Sequence, residues 1–138
     1  MALSSMTSRS PGDSITAADW DVVRNNIVLI TGTAEDSTQE GWGQSWSVFN
    51  PSAGATITDT NTNDIINAAQ DIAVYTGATN AISDVSDGAT IQETDLNNTQ
   101  TTVTNGYNSR TTAANSYLSQ ESKNTSTRTS SWSTTVTH

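Results

Sequence analysis

One short phrase occurs three times in this chain, and it limits the possible folds more than any other feature. Gly12-Asp13-Ser14-Ile15-Thr16 leads to Trp20, Gly54-Ala55-Thr56-Ile57-Thr58 leads to Thr62, and Gly88-Ala89-Thr90-Ile91-Gln92 leads to Leu96. Each copy reads as a turn, a short extended pair carrying a buried isoleucine, and a helix start. Thr16 and Thr58 are natural N-caps, with Asp19 and Asn61 three positions on. Asp59 adds negative charge at the positive end of the second helix.

After the first cap, Trp20, Val23, Ile27 and Ile30 follow helical spacing on one face, and Thr31-Gly32 supplies the stop. After the second, Ile65, Ala69, Ile72 and Ala73 form the same stripe before Thr76-Gly77. The third copy predicts a polar helix from Glu93 to Ser122, kinked near Gly106, with a narrow seam of Leu96, Val103, Tyr107, Ala114, Tyr117 and Leu118. The expected architecture is mainly α: small repeated helical modules with short extended segments, a long polar helix and an extended C-terminal arm. The divisions are an N-terminal arm at 1–11, a two-helix module at 12–87, the third copy and its helix at 88–123, and the arm at 124–138.

A Trp-rich loop at 40–51 interrupts the two-helix module, with Trp42, Trp46 and Phe49 among glycines and small polar residues. Alternation from Gln44 to Phe49 permits a short strand, which Asn50-Pro51 would close. These aromatic side chains have two readings: they cover helix ends, or Trp42 and Trp46 anchor a partner subunit.

Leu, Ile, Val and Phe supply only 22 of 138 residues, about 16%, and the net charge is −9. A chain so short of apolar surface is expected to rely on association, because it has no cysteine for a disulfide or a thiolate metal site. Residues 1–100 carry thirteen acids against Arg9 and Arg24, whereas residues 101–138 carry Arg110, Lys123 and Arg128 against Glu121. That split suits a tail lying on the acidic surface of a neighbouring copy. It disfavours nucleic acid as a partner, since clustered cations are missing. No apolar run has signal-peptide or membrane-spanning length, so synthesis in a cytoplasm without membrane insertion is expected. Two glycosylation-type triplets, at Asn97 and Asn124, are attributed to chance in a chain so rich in Asn, Ser and Thr.

Catalytic constellations are hard to assemble. His138 is the only histidine, which leaves no Ser-His-Asp triad or multi-histidine metal site within one chain. Gly41-Trp42-Gly43 lacks the third glycine of a dinucleotide loop. The carboxylate pairs Asp19 with Asp21, Glu35 with Asp36 and Asp84 with Asp87 fall at expected caps and loops, where helix dipoles and solvation account for them. Asp84-Val85-Ser86-Asp87-Gly88 lacks the alternating acids and terminal Glu of an EF-hand. Neither an enzyme nor a cofactor or metal site is expected.

Ile15-Thr16-Ala17-Ala18-Asp19-Trp20, then Gly41-Trp42-Gly43-Gln44-Ser45, then the second helix start at Thr56, together resemble the tandem helical module of small virion structural proteins from marine tailed phages, particularly those of cyanobacteria. The resemblance covers residues 12–77. Trp42 stands where that family usually has Tyr, Asp21 where Asn is common, and Thr62 where the second copy has an aromatic. It implies a non-enzymatic virion component. The expected function is a symmetric homo-oligomer in the tail or neck, built by helix packing between copies and by arm exchange, with other virion proteins as neighbours. The expected interface residues are Trp20, Trp42, Trp46, Phe49, Leu96, Val103, Tyr107, Tyr117, Leu118 and Trp132. Two alternatives remain: a capsid decoration protein, and an adhesion module whose Trp42 and Trp46 stack on a host-surface glycan.

Overall fold

The computed structural model describes residues 2–32 and 47–110. It is a small helical protein in which α1 spans Ala17–Thr31, α2 Asp59–Thr76 and α3 Glu93–Ser109. Among the described residues there is no strand, and no helix is long and apolar enough to cross a membrane. Residues 47–49, where the sequence permits a strand, run without one. The third helix is regular through Gly106; its expected continuation to Ser122 and the arm at 124–138 lie outside the described residues.

The three helix starts share one geometry. Asp13, Ala55 and Ala89 donate their N–H groups to the carbonyls of Ser10, Ser52 and Ser86 at 2.9, 3.1 and 2.9 Å, closing three tight turns. The third residue of each turn is Gly12, Gly54 or Gly88, with φ of 91, 80 and 73°, a region that side chains disfavour. A Cβ at any of them would meet nothing within 4 Å, so backbone conformation alone accounts for the glycines. At each helix start the third helical residue reaches back to the cap: Asp19 accepts from Thr16 N–H at 2.8 Å, Asn61 from Thr58 N–H at 3.2 Å and Asp95 from Gln92 N–H at 2.7 Å.

All three helices run in the same direction, so the chain must travel back along the bundle before each new start. A helix of 18 residues climbs about 27 Å, which extended chain recovers in about eight residues. Residues 78–88 make such a return. Thr79 accepts from the Asn105 amide near the end of α3, Ala81 N–H donates to Thr102, Val85 pairs with Asn63, and Gly88 N–H donates to Asp59 at the start of α2. Residues 2–10 descend between α1 and α3: Ser4 pairs with Asn26, Thr7 accepts from Gln100, and Arg9 pairs with Asn97. These returns press Leu3, Met6, Ile82 and Val85 onto the helices, and residues 47–51 add Val48.

One apolar cluster draws on all three helices and on residues 47–51 and 78–88. Buried residues stand four, seven, eleven and fourteen positions after each cap, at Trp20, Val23, Ile27, Ile30; Thr62, Ile65, Ala69, Ile72; and Leu96, Thr99, Val103, Gly106, with Ile66 and Ala68 of α2 buried beside them. This is the alternating three-and-four spacing of a coiled-coil seam. Threonine completes the seam because its hydroxyl can bond within its own helix, leaving the methyl to pack. Thr31, Thr62, Thr76 and Thr99 donate to the carbonyls of Ile27, Thr58, Ile72 and Asp95 at 2.9, 3.0, 2.8 and 2.6 Å. Gly106 makes room for Ile72: a Cβ there would stand 2.3 Å from Ile72 Cγ2, on the branched carbon that cannot swing away.

Three expectations follow for denaturant unfolding. Thr99→Val should change stability by less than about 1 kcal/mol, since the carbonyl it releases keeps its helical partner. Thr102→Val should cost about 0.5–1.5 kcal/mol by removing the acceptor of the Ala81 N–H. Gly106→Ala should destabilise by about 1–3 kcal/mol through overpacking, outweighing the gain of about 1 kcal/mol in helix propensity, and Ile72→Ala in the same chain should relieve the clash.

Candidate interaction site at the helix-start end

Because the helices are parallel, all three starts meet at one end of the bundle. There Ile15, Ile57 and Ile91, each the residue before a cap, line a depression of about 360 Å³ together with Asp13, Ala17, Trp20, Ala55 and Glu93. The isoleucines are half-buried and pack on the core, and Trp20 beneath them is 1% exposed. Carboxylates stand at the rim. Three parallel helices also bring three positive dipole ends together, and Asp19, Asp59, Glu93 and Asp95 occupy the first turns, where negative charge is stabilising.

Two of these acids also hold the returns in place. Asp19 accepts from Thr16 and forms an ion pair with Arg9, whose Nε lies 3.1 Å from Oδ1. Burial pushes the Asp19 carboxyl upward, but the hydrogen bonds from Arg9 and Thr16 and the Arg9 charge together hold it below its ordinary value. Asp59 is lowered by the Gly88 and Thr60 N–H groups, with burial opposing. No group of three or more His, Asp or Glu among the described residues could hold a metal ion.

Two other depressions lie on the flanks. One of about 410 Å³ is lined mainly by hydroxyls and amides, among them Ser4, Ser8, Gln100 and Thr104. Its amides are engaged: Asn97 and Gln100 bond residues 7–9, and Asn105 bonds Thr79. The other, of about 320 Å³, lies beside Val48 and α2 with Asp64 and Asp71 at its edge.

The expected interface residues separate into three groups. Trp20, Leu96 and Val103 are 1, 0 and 0% exposed inside the chain's own bundle. These three side chains are covered by the chain's own helices. Phe49 and Tyr107 are half-buried against the edge of the core. Phe49 N–H donates to the Asp64 carboxylate, and the Arg110 guanidinium sits 3.9 Å above the Tyr107 ring. Trp42, Trp46, Tyr117, Leu118 and Trp132 lie outside the described residues.

Sequence reasoning missed the amides that hold the returns. Asn63 and Asn97 each bond both the N–H and the carbonyl of one return residue, Val85 and Arg9, at distances of 2.8–2.9 Å. Both stand five residues after a cap, and each partner stands three residues before a turn glycine. Aligning the copies beyond their five-residue phrase would have exposed this correspondence. At the same offsets the remaining pair is Asp21 and Pro51, and proline has no N–H to donate.

No family model, curated protein or solved structure matches the chain.

The lowered carboxyls set the direction of a pH response. Stability contributed by Asp19 should be complete above the unfolded carboxyl's value, about 3.9, and should disappear as pH falls through the lower folded value. Thermal unfolding between pH 6 and 2.5 should show this loss, and Asp19→Asn should flatten the dependence while lowering stability at pH 6.

Proposed function

We propose that this protein is a non-catalytic structural subunit of a virion, assembling with copies of itself in a tail or neck. The observation that carries the reading is where the resembling residues fall. Ile15 to Trp20 and Thr56 to Thr58 build the starts of α1 and α2, while the remaining resembling residues, Gly41 to Ser45, lie outside the described residues. The charged and polar groups support the same reading. Arg9, Asp19, Asp59, Asn63 and Asn97 each put at least one hydrogen bond into joining a return to a helix. Association falls to the surface outside the seam and to residues 111–138, whose composition opposes the acidic body.

Sedimentation of the purified chain across a hundredfold concentration range tests the reading. The weight-average mass should rise with concentration, and antibody labelling should place the chain at the tail or neck of intact particles. A mass fixed at one chain over the whole range would overturn the assembly role.

A further inference from the structure

We propose that residues 111–138 of one copy dock in the Ile15, Ile57 and Ile91 depression of the next, joining copies head to tail. The proposal rests on the reading that copies associate, and adds the site and its occupant.

The first observation is the heading of the chain. After α2, Gly77 takes the left-handed conformation and Ala78 N–H turns back to the Ala73 carbonyl, starting the return. At the end of α3 the last described residue, Arg110, keeps right-handed helical angles, φ −58° and ψ −23°, with its N–H on the Tyr107 carbonyl. The chain therefore leaves α3 pointing away from the depression, which lies a helix length of about 26 Å behind it. Extended chain returns already run beside the helices at residues 2–10, 47–51 and 78–88. A neighbour placed end-on would present its helix starts directly ahead.

The second observation is chemical fit. Three isoleucine side chains line the depression among polar groups that make up most of its exposed surface, with carboxylates from Asp13 and Glu93 at its rim. Residues 111–138 carry Lys123 and Arg128 against Glu121, and their large apolar residues are Tyr117, Leu118, Trp132 and Val136. An apolar side chain can meet the exposed parts of the isoleucines while a neighbouring cation meets the rim, an arrangement in which opposite charge sets register. Because donor and acceptor surfaces differ, the contact is heterologous: copies can close into a ring or extend as a filament.

Full-length variants test this. Ile57→Asp places a charge in the depression, and Asp13→Arg with Glu93→Arg reverses the rim. Trp132→Ala with Lys123→Glu and Arg128→Glu alters the tail. Each should weaken self-association at least tenfold by sedimentation, with circular dichroism as the fold control; the rim variant carries the test if Ile57→Asp unfolds. Mixing the rim variant with the tail variant should yield dimers of one chain each and nothing larger, since one intact depression and one intact tail remain. If the wild type associates and the folded variants associate equally well, or if the mixture yields no dimer, the proposed site is overturned while the assembly reading stands. A wild type that remains a single chain overturns both.

Discussion

The bundle depends on side chains supplying hydrogen bonds that a β-sheet would otherwise provide. Parallel helices force the chain to return in extended form, and extended backbone packed on a core must pair its N–H and carbonyl groups. The described residues contain no ladder, so Asn26, Asn63 and Asn97 each bond both backbone groups of one return residue, while Thr102 and Asn105 bond others. If those amides are removed, the returns lose their partners, and Ile82, Val85 and Met6 lose the anchorage that presses them onto the helices. The abundance of Asn and Thr is thus part of the packing.

The same economy operates inside. A chain with 22 Leu, Ile, Val and Phe residues closes a core because threonines occupy seam positions and satisfy their hydroxyls on their own helix. The low apolar content suggests a subunit completed only by its neighbours, yet the seam of α1, α2 and α3 is filled within one chain. The consequence for function is a change in where association occurs. Trp20, Leu96 and Val103 are already committed, which moves attention to the helix-start end and to the chain beyond Arg110.

That end concentrates charge and shape. Three helix starts bring three positive dipole ends together, and the acids of the first turns answer them, accounting for part of the charge imbalance between residues 1–100 and the rest. The acids do local work as well, since Asp19 fixes Arg9 and Asp59 fixes Gly88. The isoleucines before the caps remain half-buried, between core and surface.

The amino-acid sequence by itself determined the helix starts at Thr16, Thr58 and Gln92, the turn glycines, the apolar stripes and the stops at Gly32 and Gly77, because caps, positive φ and helical period are local properties that neighbouring residues encode. Only the tertiary structure decided that the three helices run in one direction, that the seam of α3 faces α1 and α2 of its own chain, and that Ile15, Ile57 and Ile91 meet. Those outcomes depend on which return bonds which helix. Such pairs as Arg9 with Asn97 lie far apart along the chain, and the partner of an isolated asparagine is set by packing geometry rather than by any periodicity the sequence displays.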